Sequence, residues 1–188
     1  MVETKDFKKG ITVKIGNEPF AIVDFQHVKP GKGNAFTRTR LKSLISGNQL
    51  ERTFKSGEVL PEADVSLGDY DFLYQDGETY HFMDRSNYEQ MELPASALAD
   101  KTWYLKENMR IKIQFYENKP VNIELPNFVE LQITYCEPAV KGDSATPGSK
   151  PATLETGAKV LVPLHVKMND IIRVDTRTGE YVEKVGSK

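Results

Sequence analysis

Phe20-Ala21-Ile22-Val23-Asp24-Phe25-Gln26-His27-Val28-Lys29-Pro30-Gly31-Lys32-Gly33-Asn34-Ala35-Phe36-Thr37-Arg38-Thr39-Arg40-Leu41-Lys42-Ser43-Leu44 reads as two long strands joined by a loop. Phe20 to Val28 reads as the first strand and Ala35 to Leu44 as the second, because period-2 alternation recurs where helical periodicity is almost missing. Successive side chains of a strand point to opposite faces. The second strand therefore carries Phe36, Arg38, Arg40 and Lys42 on one face, and Ala35, Thr37, Thr39 and Leu41 on the other. In the loop, Pro30 fixes its own φ and stiffens the entry. Gly31 and Gly33 permit tight or left-handed backbone and place no side chain beside Lys32. A loop needed only for the turn would use glycine or asparagine here, not a lysine between two glycines.

The same grammar extends outward. Ile11-Thr12-Val13-Lys14-Ile15 alternates and Gly16-Asn17-Glu18-Pro19 turns the chain. Phe72-Leu73-Tyr74 and Thr79-Tyr80-His81-Phe82 flank Asp76-Gly77, a strong hairpin signal. Arg110 to Tyr116 and Val121 to Leu125 flank Glu117-Asn118-Lys119-Pro120. Ala158 to Val162, Ile171 to Val174 and Tyr181 to Val185 supply further strands. Short helices are expected over Pro94 to Asp100 and Trp103 to Asn108. Many short strands at this spacing predict an all-β chain of small barrels. The stretch Ser56 to Asp64 is poor in strand formers, and Pro126-Asn127 interrupts an apolar run. Cutting there gives three pieces, 1–65, 66–128 and 129–188, each within the size range of independent folds.

Charge separates these pieces. Over the chain it sums to −2, so any pull on nucleic acid must come from a local patch. The first piece carries 11 Lys and Arg against 8 Asp and Glu, the second 6 against 11, and the third 8 against 8. No acidic residue lies between Asp24 and Glu51, whereas Lys29, Lys32, Arg38, Arg40 and Lys42 all do. A basic stripe with an aromatic at its loop end suits an RNA backbone, although the stripe alone reads equally well as a solvated barrel exterior.

Other chemistries find little support. The single cysteine, Cys136, excludes an internal disulfide and a paired-cysteine metal site; it reads as a half-buried strand residue. His27, His81 and His165 are scattered without metal-ligand spacing, so no metal is expected. No Gly-x-Ser-x-Gly elbow frames a serine. Gly31 to Phe36 opens like a dinucleotide fingerprint, but the third glycine is missing and a strand follows where a helix is required. Gly142 to Lys150 has the wrong spacing for a phosphate loop. The polar amino terminus lacks a signal core, and no apolar run reaches the roughly 20 residues of a membrane span. A cytoplasmic monomer without membrane contact or cofactor is the expectation.

Against this background, Val23 to Phe36 resembles the amino-terminal signature of the elongation factor P family, with Glu51-Arg52-Thr53-Phe54-Lys55 following in place. Pro126-Asn127-Phe128-Val129-Glu130-Leu131 resembles that family's junction into a third domain. Lys141-Gly142-Asp143, Lys150 to Ala158, and Val174 to Tyr181 with Asp175, Arg177, Gly179 and Tyr181 resemble its carboxy-terminal signature. The resemblance runs the length of the chain in order. It implies an SH3-like (KOW-type) barrel followed by two OB-type barrels, arranged in an L like a tRNA. It implies ribosome binding between the P and E sites, with the first-domain loop reaching toward the CCA end of the P-site tRNA. It also implies relief of stalling at consecutive prolines, and a lysine, here Lys32, that many members modify after translation and some leave bare, so that a Lys32-modifying enzyme is a possible partner. Pro30, Gly31, Gly33 and Asn34 would present that lysine; Lys29, Arg38, Arg40 and Lys42 would meet RNA.

One departure stands out: Met168-Asn169-Asp170 replaces the family's usual Gly-Asp or Gly-Glu step. Asn tolerates left-handed φ, so the turn should survive. Three other readings are weaker. A general OB-fold single-stranded nucleic-acid binder wants basic, aromatic-lined grooves, and the acidic middle piece opposes it. An elongation-factor-P-like paralogue usually carries a different loop tip. A Schiff-base enzyme wants a desolvated lysine, which a glycine-flanked tip does not provide.

Overall fold

A computed structural model describes residues 1–138 and 148–187. The chain is built from strands, as its alternation predicts. It divides into two compact units, 1–68 with Ile113–Asn122, and Asp69–Lys112 with Ile123–Lys188.

In the first unit β1 (Val2–Glu3) pairs antiparallel with β6 (Val59–Leu60), so the stretch expected to be a bare break contributes a short strand. β2 (Thr12–Ile15), β3 (Glu18–Val28), β4 (Phe36–Ser43) and β5 (Gln49–Lys55) follow one another in an antiparallel sheet. Thr37, Thr39, Leu41 and Ser43 of β4 are buried, while Arg38, Arg40 and Lys42 are exposed. The alternation expected for this strand is therefore present residue by residue. The core gathers Val2, Phe7, Val13, Phe20, Ile22, Leu41, Phe54 and Leu60. Phe7 meets Phe54 edge-on with ring centres 5.7 Å apart, the favoured geometry for two aromatic quadrupoles.

The central sheet has the order β11-β10-β7-β8-β9, from β7 (Val65–Asp76), β8 (Thr79–Asp84), β9 (Gln90–Pro94), β10 (Arg110–Tyr116) and β11 (Lys119–Glu124). Gly77 takes φ +59, and Glu117 and Asn118 take +49 and +65, so both hairpins expected from their turn residues use left-handed backbone. The helical expectations need correction. α1 covers only Ala95–Leu98 and gives way to a 3-10 turn over Ala99–Tyr104. The helix expected over Trp103 to Asn108 does not form beyond Tyr104. Asn108 N–H donates to Phe72 O at 2.7 Å, and Phe72 N–H donates to Met109 O at 2.8 Å. Pairing with a strand thus takes the backbone groups that a helix would have used.

The last sheet has the order β14-β13-β12-β15-β16, from β12 (Phe128–Cys136), β13 (Ser149–Leu154), β14 (Lys159–Pro163), β15 (Asp170–Asp175) and β16 (Glu180–Ser187). Its core includes Leu131, Ile133, Leu154, Val162, Val166 and Ile172, all buried, together with Cys136. The thiol sits against Val166 O at 3.9 Å; the cysteine lies on a strand as expected, but it is buried and not half-buried. Asn169 takes φ +70, so asparagine does stand in at the turn where glycine is usual. The next residue, Asp170, is buried, accepts Lys167 N–H at 2.8 Å and pairs with Lys184 at 3.1 Å. Lys141-Gly142-Asp143 and most of the 142–150 segment lie outside the described residues.

Candidate functional site

The Lys32 loop joins two long paired strands. β3 and β4 run antiparallel from Phe20↔Ser43 to Val28↔Phe36, with one irregularity between Ile22 and Asp24. Lys29 to Asn34 then span the gap, and all six are exposed. The two glycines are not equivalent. Gly33 takes φ +106, whereas Gly31 does not have positive φ. Gly33 is thus required by backbone conformation, and Gly31 matters only for keeping the flank clear. A side-chain carbon added to Gly31 would meet nothing within 4 Å, and one on Gly33 would meet only Pro30 at 3.9 Å. No hydrogen bond or ion pair holds Lys32 among the described residues. Its ammonium stands in water on a braced stalk.

The stripe is real, but it is less purely basic than the sequence interval suggests. Register places Arg40 between Asp24 on β3 and Glu51 on β5, and Arg38 between Gln26 and Thr53. Arg40 pairs with Glu51 at 3.3 Å, and Lys9 pairs with Asp24 at 3.4 Å. The Asp24 carboxyl is held below the usual range, first by the Phe25 backbone N–H and then by Lys9. Arg38 faces no carboxylate across the sheet, and its guanidinium lies 5.6 Å from the centre of the Phe36 ring. These strands line a shallow groove of about 520 Å³ with Gln26, Arg38, Arg40, Glu51, Arg52 and Thr53 among its walls. Lys55, opposite Phe36, extends the cationic face and was not singled out by sequence, because strand pairing is what brings it there. His27 turns to local contacts: its Nδ1 lies 2.9 Å from Thr37 Oγ1, and its ring meets Phe25 at 5.3 Å.

The carboxy-terminal signature forms a turn clamp. Asp175 accepts from Arg177 N–H at 2.8 Å, Nε at 3.1 Å and Nη2 at 2.9 Å. Gly179 N–H donates to Asp175 O at 2.7 Å with φ +76. Arg177 also covers the Phe128 ring at 5.4 Å. Thr176 Oγ1 donates to Pro126 O at 2.6 Å, and half-buried Tyr181 packs on the core. These contacts give the motif a conformational purpose. The Arg177 side chain, followed by its backbone N–H, holds the Asp175 carboxyl below the usual range. A depressed carboxylate stabilises the fold above its unfolded pKa of about 3.9, and that contribution vanishes as pH falls through the folded value. Asp175→Asn should therefore flatten the decline of melting temperature below about pH 4. A decline as steep as the parent's would remove Asp175 as a source of acid lability.

Among the described residues no group of three or more His, Cys, Asp or Glu side chains could hold a metal, and no helix is long and apolar enough to cross a membrane.

The chain is mostly β, in antiparallel sheets, with a lone lysine on a glycine-flanked hairpin tip. Three family models match in order: the elongation factor P KOW-like domain over residues 3–60, its OB domain over 66–123, and its C-terminal region over 129–184. A protein named elongation factor P from Natranaerobius thermophilus is 51% identical over 185 residues, covering 98% of both chains. One from Clostridium botulinum is 50% identical over 98% of this chain and all of its own. Among solved structures, a protein titled eukaryotic translation initiation factor 5A, from Methanococcus jannaschii, aligns with TM-score 0.52 at 23% identity. That alignment covers 63% of this chain and 88% of the other, and shares the fold. The chain belongs to the elongation factor P family.

Proposed function

We propose that this factor binds the ribosome beside the P-site tRNA and promotes peptide-bond formation at consecutive prolines through Lys32. The observation that carries the reading is the loop tip itself, a cation with no partner among the described residues, set at the end of a paired two-stranded stalk. Proline is a poor amine substrate for peptide-bond formation partly because its ring restricts approach. Holding reactants in register can recover as much as ~7–11 kcal/mol of barrier in the best intramolecular cases, and relieving a stall needs far less. Lys32 would reach the CCA backbone as a flexible cation with rotatable donors, bare or lengthened by a modifying enzyme. The ribosome would supply the peptidyl-transferase centre and the factor only position, so no cofactor or catalytic group is needed. In this reading the functional parts are the three barrels 1–65, 66–128 and 129–188, acting as a monomer. The test is a reconstituted translation assay on a message with consecutive prolines. A factor that leaves the stall unrelieved overturns the proposal.

The outer face of β4 would supply the phosphate contacts. Arg38→Ala should weaken ribosome binding more than Arg40→Ala, because Glu51 and Asp24 already answer part of the Arg40 charge. Removing one phosphate-binding cation should lower the salt slope of binding by about one. Affinity measured over a salt series decides the matter. Equal weakening would show that neighbouring carboxylates do not tune the face; unchanged affinity in both variants would remove the stripe from the interface.

A further inference from the structure

Trp103 is the single tryptophan of the chain and sits on the 3-10 turn Ala99–Tyr104. Its peptide carbonyl accepts a hydrogen bond from Thr156 Oγ1 at 2.5 Å. Its ring lies against Gly157: a side-chain carbon added there would come within 3.4 Å of Cζ3, and the glycine's φ is +88. The indole is therefore placed firmly, yet it remains 47% exposed. That leaves about half of a large, flat aromatic surface open to a ligand. Beside it opens a cavity of about 290 Å³ lined by Trp103, Tyr104, Gly157, Ala158 and Lys159. Lys159, at the start of edge strand β14, is exposed, and no ion pair binds it among the described residues. Lys159 is the charged residue of the lining, and the Glu155 carboxylate is engaged by Lys106 at 3.3 Å.

We propose that this cavity is a stacking site for one unpaired RNA nucleobase, with the Trp103 ring as the platform and Lys159 meeting the adjoining phosphate. One aromatic face beside one cation is less than the basic, many-aromatic groove of a general single-strand binder, but it suffices to hold a single base and its phosphate, and it tolerates any base because every base has a π-face. A protein partner fits less well. Specific protein interfaces need roughly 1,000 Å² or more of complementary surface, whereas this patch is one indole, a phenol edge and two small residues. The site goes beyond the Lys32 reading and stands without it, for it lies on different residues and needs no tRNA.

The sole tryptophan makes the test direct. The intact protein is titrated with a tetranucleotide of single-stranded RNA while Trp103 emission is followed. Saturable quenching that weakens with salt is expected. Lys159→Gln should reduce affinity roughly three- to tenfold at low salt. Trp103→Phe keeps a smaller platform, and Trp103→Ala removes it; with 2-aminopurine in the RNA as reporter, affinity should fall in that order. Thermal melts identify any variant that fails to fold, and Trp103→Phe then carries the comparison. Linear collisional quenching would overturn the proposal. So would undiminished binding by Trp103→Phe and Lys159→Gln, which would place the RNA elsewhere, or quenching by a peptide but not by RNA. Lys32→Ala should leave the titration unchanged, which separates this proposal from the role of the loop.

Discussion

Lys32→Ala is expected to bring translation through consecutive prolines down close to the factor-free rate while leaving the fold intact. The two halves of this expectation have separate causes. Lys32 is exposed between two glycines, with no hydrogen bond or ion pair among the described residues, so the melting curve should move by no more than an exposed substitution allows, about 0.5 kcal/mol. Activity should fall because no other cation shares the tip. Lys29 is at the base of the loop, and Arg38 lies down the strand. Synthesis of proline-poor proteins should barely change. Lys32→Arg refines the test. It keeps the charge but replaces a rotatable ammonium with a planar fork, and it removes the ε-amine that an acyl or alkyl group would need. If the working protein carries a modified lysine, arginine should fail almost as badly as alanine; if the bare lysine works, part of the activity should remain. The measurement uses protein from its own host, with intact mass recorded beside the stalling assay. Full rescue by Lys32→Ala would end the proposed role of this side chain.

What the sequence disclosed and what it withheld follow from range. The β3–β4 hairpin, the faces of β4 and the left-handed turns at Gly77 and Asn169 are local consequences of residue order, and all were legible in it. β5 and β13 were not. β5 (Gln49–Lys55) is exposed at every position but Phe54, so it shows no clean apolar alternation. β13 contains Lys150, which is buried, and Pro151 within a strand paired on both sides, and both residues argue against a central strand. The loss of the helix after Tyr104 depends on Phe72, over thirty positions earlier. The site divides in the same way. The loop tip is local and could be read. The softening of Arg40 by Glu51, the recruitment of Lys55 and the cavity beside Trp103 come from strand register and packing, which no spacing rule reveals.

Phe54→Ala is the expected structural counterpart, because it should destroy the same activity by another route. Phe54 is completely buried. It packs edge-on with Phe7, and Arg52 covers its ring at 5.3 Å. Truncating a buried phenylalanine typically costs about 3–5 kcal/mol, part transfer free energy and part cavity. The core around it is small, eight buried side chains from Val2 to Leu60, and a small barrel has little stability in reserve. Thr37, directly opposite Phe54 on β4, would lose its cover, and β4 carries both the stripe and one leg of the Lys32 stalk. The variant should therefore lose proline rescue and ribosome affinity together, with melting lowered and the Phe7 region exposed to protease. Phe54→Leu, which restores most of the volume, should recover much of both. Lys32→Ala must behave oppositely, with unchanged melting and lost rescue. A Phe54→Ala protein that melts like the parent yet fails to relieve stalling would mean that this core does more than hold the loop.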